Sequence, residues 1–126
     1  MAIPSGSGTE IIFRTAINAQ AGTDTSFRFD RTMASTGTSS YEVPANFIIT
    51  VLNVTLCNLD TTARTFTIKW TDGSLTVNLT RNASLPGEAT YIWDNRIALV
   101  GGDKLTVGAS GGNIDCLCNY IVQDWT

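Results

Sequence analysis

Apolar and polar residues alternate with a period of two along most of this chain. From residue 9 to 19, Ile11, Phe13, Ile17 and Ala19 share one phase, and Glu10, Arg14 and Asn18 the other. That is the pattern of a strand with one face buried. Phe27 and Phe29 then alternate with Arg28 and Asp30, and Phe66, Ile68 and Trp70 with Thr65, Thr67, Lys69 and Thr71. Asp72-Gly73 predicts a two-residue type I′ hairpin, whose central positions need positive φ. Its partner strand, 74–80, would point Leu75, Val77 and Leu79 inward. Residues 89–100 read as one strand or two short ones broken near Asp94-Asn95. Gly101-Gly102 and Gly111-Gly112 bound a further alternating stretch containing Leu105, Val107 and Ala109.

The long run at 46–59, NFIITVLNVTLCNL, departs from simple alternation. Phe47, Ile49 and Val51 share one phase, Ile48, Leu52, Val54 and Leu56 the other. At about 3.3 Å per residue the run would exceed 40 Å, longer than an ordinary strand. A bulge or bend is therefore expected near 51–53, with Phe47, Ile49 and Val51 on one buried side and Leu52, Val54 and Leu56 on the other. Burial on both sides would require a cover beyond the chain's own core. The last run, 113–125, pairs a core phase (Ile114, Cys116, Cys118, Tyr120, Val122) with a mixed one holding Asp115, Asn119 and Gln123 beside Leu117, Ile121 and Trp125. From these second phases, Ile48, Leu52, Val54, Leu117, Ile121 and Trp125 are the candidate interface residues.

Eight to ten short strands with regularly spaced turns and no amphipathic helix point to an all-β protein. A jelly-roll-like antiparallel β-sandwich fits the strand count. An immunoglobulin-like sandwich fits less well, because the chain lacks the Cys…Trp…Cys pattern. The expected organisation is a Ser/Gly-rich flexible arm over 1–8 and a single sandwich domain over 9–126.

Composition narrows the chemistry. The 126 residues carry no histidine, which removes the commonest general base and zinc ligand. No catalytic motif is visible, so no enzyme activity, catalytic residue or cofactor is expected. Eight basic residues against eleven acidic ones leave a net charge of −3, a poor match for the phosphate neutralisation of nucleic-acid binding. No apolar run is long enough to predict a membrane helix. The opening MAIPSGSGTE lacks the basic and apolar regions of a signal peptide, so a start in the cytoplasm is expected. The three cysteines, Cys57, Cys116 and Cys118, read as buried thiols rather than a disulfide framework or metal site. Turn Asp and Asn residues show no calcium-loop spacing. Trp70 and Trp93 continue apolar faces and read as core. Trp125 sits on a mixed face and is the best single candidate for a contact with another subunit.

Several segments share a pattern with known proteins. Tyr41-Glu42-Val43-Pro44-Ala45 leads into an Ile/Val/Thr strand ending near Cys57-Asn58. Ala63-Arg64-Thr65-Phe66-Thr67-Ile68, Leu85-Pro86-Gly87-Glu88-Ala89 and Leu99-Val100-Gly101-Gly102-Asp103-Lys104-Leu105-Thr106-Val107 follow in order. Over residues 41–122 the chain resembles small β-sandwich structural proteins of tailed bacteriophages, including head decoration (cement), neck, tail and fibre proteins. The resemblance implies a non-enzymatic virion component that assembles in the host cytoplasm. It implies a homo-oligomer, a trimer first, with the phage major capsid protein as partner. A neck, tail or fibre component is the alternative, and a carbohydrate-binding module a more distant one.

Overall fold

The structure is a computed structural model that describes residues 9–20, 24–29 and 42–124. The arm expected at 1–8 and Trp125 lie outside these residues. The alternating segments form strands β1 (Thr9–Gln20), β2 (Thr25–Ser26), β3 (Phe47–Asn58), β4 (Arg64–Thr71), β5 (Thr76–Asn78), β6 (Ala83–Leu85), β7 (Thr90–Trp93), β8 (Ile97–Leu99), β9 (Lys104–Ala109) and β10 (Asn113–Asp124).

They make two five-stranded sheets. Sheet A runs β1-β10-β3, with β7 and β8 sharing the far edge of β3. Sheet B runs β2-β9-β4, with β5 and β6 sharing the far edge of β4. Every pairing is antiparallel. With β5/β6 and β7/β8 each counted as one interrupted strand, eight strands cross between the sheets in Greek-key order. The chain is a jelly roll.

The inward phases meet between the sheets. Phe27, Phe29, Phe66, Ile68, Leu105 and Val107 from the sheet B side pack against Ile49, Leu56, Leu99, Ile114, Tyr120 and their neighbours from sheet A, all at most 1% exposed. Tyr120 presents its ring edge-on to Phe29, with centroids 4.9 Å apart and planes at 88°, a favoured aromatic geometry. Cys116 and Cys118 are buried in this layer and Cys57 is half-buried on the outside, all three as free thiols.

The long strand carries the expected bulge. Asn119 pairs with Asn53 and the next residue, Tyr120, with Val51, so Leu52 has no partner on β10. The consequence differs from the expectation. The extra residue shifts the phase of β3, so Ile49, Val51, Val54 and Leu56 all face the core at 0% exposure. Val54 therefore leaves the list of interface candidates, because its side chain has no free surface. Two-sided burial of β3 also falls as an argument: its outward residues, Ile48, Thr50, Leu52, Asn53, Thr55 and Cys57, are all half-buried.

The first hairpin differs too. Thr71 pairs with Thr76, leaving a four-residue loop, 72–75. The Asp72 carboxylate closes it by accepting N–H bonds from Leu75 at 2.7 Å and Ser74 at 2.9 Å. These bonds, Leu75 first, hold its carboxyl below the usual carboxylate range because they favour the charged form. The longer loop carries Leu75 out to 57% exposure, and Val77 on the short β5 is 40% exposed; Leu79 alone of the predicted three packs against the core.

One end of the sandwich is tied by Asn58, which is 1% exposed. Its amide donates to the carbonyls of Thr62 at 2.9 Å and of Leu85 and Pro86 at 3.2 Å. Its side-chain oxygen accepts the Asp60 N–H at 3.0 Å. The loop after β3 and the loop after β6 are thus joined by one side chain. They approach so closely that a Cβ on Gly87 would overlap the Thr61 carbonyl. At the other end, the buried Asp103 carboxylate accepts the Val100 N–H at 2.9 Å, while its carbonyl accepts Val43 N–H at 2.9 Å. The Gly-Asp of the 99–107 segment thus anchors the chain leading into β3.

Candidate interaction surface

The outward phases of the two sheets differ in chemistry. On sheet B they are hydroxyls and charges. Ser26 and Thr106 exchange a hydrogen bond at 3.0 Å, and Lys69 reaches Asp24 at 2.9 Å. A small groove of about 180 Å³ lies among Asp24, Thr65, Thr67, Lys69, Asn82 and Ser110. Two of its hydroxyls are already engaged with backbone: Thr67 Oγ1 accepts the Asn82 N–H at 3.0 Å, and Ser110 Oγ the Thr65 N–H at 2.9 Å. These groups serve the sheet edge and are not arranged for chemistry on a ligand.

On sheet A the cross-strand register assembles two apolar rows. Ile12, Ile121, Thr50 and Ala98 form one, in strand order β1, β10, β3, β8. Ala16, Leu117, Thr55 and Ile92 form the other. Ile12 is 70% and Ile92 59% exposed. Between the rows run Arg14, Asn119 and Asn53, with Asn119 Nδ2 donating to Asn53 Oδ1 at 2.8 Å. Beyond the rows lie Gln123 beside Ile48 at one end and Asn18, Asp115 and Cys57 at the other. Asn18 Nδ2 donates to Asp115 Oδ1 at 2.8 Å. A shallow depression of about 450 Å³ opens over Ala16, Asn18, Thr55, Cys57, Asp115 and Leu117.

The register thus gathers Ile48, Leu52, Leu117 and Ile121 on one outer face, while Val54 is in the core. Sequence reasoning missed Ile12, Ile92, Ala16 and Ala98. The signal for the first two was an isoleucine in the polar phase, between Ile11 and Phe13 and between Tyr91 and Trp93. Alanines carry no such mark.

Other candidates disperse. Trp93 is 3% exposed and Trp70 packs half-buried against the core, so neither opens a flat face to a sugar ring. Burial pushes the Cys116 and Cys118 thiols up to about 12, with Asp115 adding to the effect at Cys116. Among the described residues no three Cys, Asp or Glu side chains gather as a metal site, and no helix is long and apolar enough to cross a membrane.

No protein-family model matches the sequence, and no curated protein matches it. Solved structures do match in three dimensions. A chain from the structure of the infectious bursal disease virus Gx strain superposes with a TM-score of 0.55 at 11% identity, over 96% of this chain and 34% of its own length. This chain therefore spans about a third of that one. A pentameric capsid protein isolated from metagenomic phage sequences gives 0.42 at 18% identity, covering 88% of this chain and 60% of its own. Eiger TNF from S. frugiperda gives 0.47 at 12% identity, covering 98% and 94%. At 11% identity the likeness to the bursal disease virus chain is one of fold.

Proposed function

We propose that this chain is a non-enzymatic structural protein of a virus particle, and that it works as a decoration (cement) protein on the head shell of a tailed bacteriophage. The observation that carries the reading is the contrast between the sheets. One outer face is polar and self-satisfied; the other carries two largely apolar rows, Ile12 to Ala98 and Ala16 to Ile92, exposed at their ends and half-buried in the middle. Contiguous apolar surface of that kind is costly in water and marks an assembly site. The phage resemblance over residues 41–122 and the fold shared with a viral chain support the same reading.

In this role the chain holds neighbouring shell subunits together without covalent chemistry. Each copy's contact with the shell is modest, but copies joined through the apolar face bind as a unit, because each later contact is effectively intramolecular. The implied partners are the phage major capsid protein and further copies of the chain. A trimer follows from the resemblance alone, and no residue described here selects it.

The test is sedimentation with shells assembled from the major capsid protein of the same virus. The chain is expected to pellet with the shells, and the double substitution Leu117→Asp/Ile121→Asp to abolish this while leaving the circular dichroism of the fold intact. Pelleting with tails instead of shells would move the protein to the neck, tail or fibre. Glycan binding that survives the double substitution, without any pelleting, would favour the carbohydrate-binding reading.

A further inference from the structure

We infer that the outer face of sheet A packs against the same face of a second copy of this chain, about a two-fold axis lying along the Arg14–Asn119–Asn53 row. The inference rests on reading this face as an assembly surface, and it names the occupant.

The reason is a symmetry in the face itself. An isologous contact must be self-complementary. The two apolar rows lie on either side of the polar row at equal distances along the strands. A two-fold axis along the polar row exchanges them while keeping each strand over its own copy. Ile12 then lies over the partner's Ala16, and Ile92 over the partner's Ala98. In the centre Ile121 meets the partner's Leu117, and Thr50 meets the partner's Thr55. Large opposes small at both margins, the condition for two layers to interdigitate. One row further out, Gln123 brings an amide donor over the partner's Asp115. Arg14 sits on the edge strand of the sheet, where its long side chain can leave its charge in water.

The size also fits. Strands of twelve residues, such as β1, β3 and β10, reach about 40 Å, and four strands at about 4.8 Å span nearly 20 Å. The face is then on the order of 700–800 Å², close to the roughly 800 Å² each partner gives to a standard interface.

The register makes the contact testable with a native thiol. Two rows from the axis, Cys57 falls opposite the partner's Ile48. Within one chain these positions lie nine residues apart on β3, about 30 Å, beyond the reach of a short linker. Face-packed sheets stand about 10 Å apart, so a short bismaleimide suits the gap better than a disulfide. The variant Ile48→Cys treated with that reagent is expected to give a covalent dimer, with peptide mass spectrometry joining position 48 of one copy to Cys57 of the other. The wild-type chain, whose Cys57 residues would sit four rows apart, is expected to give little. Leu117→Asp/Ile121→Asp is expected to weaken self-association at least ~100-fold while the monomer still folds, with a modestly lower melting temperature because aspartate suits a strand poorly.

A monomer or a lone trimer by analytical ultracentrifugation at tens of micromolar would overturn the inference. So would efficient Cys57-to-Cys57 linking in the wild type. Shell binding by a chain that does not self-associate would sink the two-fold contact and spare the virion reading. Self-association without shell binding would do the reverse.

Discussion

Asn58 shows how much one polar side chain can do in a small sandwich. It ends β3, turns inward and satisfies three carbonyls and one N–H from two different loops. Replacement by alanine leaves these groups without their partner, in a site buried at the Leu85 carbonyl and part-buried at the other three. Unmade buried hydrogen bonds cost about 1–3 kcal/mol per group, partly relieved by relaxation. Asn58→Ala is expected to lower stability by about 2–4 kcal/mol in urea unfolding. The cysteines give a second outcome at this scale. Cys116 and Cys118 keep their protons up to about 12 in the fold because they are buried. In the unfolded chain thiols ionise near 8.5. Between those values the unfolded state binds fewer protons than the folded one, so stability must fall as pH rises above about 8.5. Chemical unfolding at pH 7.5 and 10 is expected to show that loss, and Cys116→Ala/Cys118→Val to reduce it. In native protein at pH 8 a maleimide is expected to label Cys57 first, with the other two reacting only after unfolding.

At the level of elements, the bulge at Leu52 decides what the long strand means. Two consecutive residues of β10 match Asn53 and Val51, so removing Leu52 restores an unbroken ladder and changes no inward residue. Deleting Thr55 absorbs the same bulge differently: Asn53 is drawn into the core and Val54 expelled from it. The first deletion is expected to fold within about 1–2 kcal/mol of the parent, whereas the second costs several kcal/mol, from a lost buried valine and a buried, unpaired amide. Thermal melts of the two deletions check this, and equal losses would count against the bulge. The comparison also shows what was legible in the sequence. The all-β class, most of the strand positions and the bulge were readable, because alternation and turn residues are local; the strand read from Phe27 and Phe29 ends at Ser26, before either ring. The side to which Val54 points was not, since it depends on pairing with β10, sixty residues away. The hairpin at Asp72 misled for a similar reason. Asp-Gly suits a two-residue turn, but Asp72 finds better bonds at Ser74 and Leu75. Of the apolar outer face, Leu117 and Ile121 could be read from their own strand. Its rows could not, because they are made by register across β1, β10, β3 and β7 or β8.

For the whole molecule the governing feature is the inequality of its two outer faces. Sheet B meets water with Thr, Ser, Asp and Lys, whereas sheet A offers isoleucine, leucine and alanine, with few charges, Arg14 and Asp115 among them. In the proposed two-fold contact the driving force is therefore removal of apolar surface from water, and charge acts only in fixing register. Screening distinguishes the two. At 1 M salt the Debye length is about 3 Å, so an association built on ion pairs would dissociate. One built on Ile12, Ile121, Leu117 and Ile92 would hold or tighten, and it would show a negative heat-capacity change. Sedimentation equilibrium in ~0.1 M and ~1 M sodium chloride is expected to give the same or a lower dissociation constant at the higher salt. The substitution Thr67→Glu on sheet B is expected to leave that constant unchanged, because it adds a charge to the face that stays in water. A tenfold weakening by salt, or by Thr67→Glu, would move the assembly surface to sheet B and its Asp24–Lys69 groove.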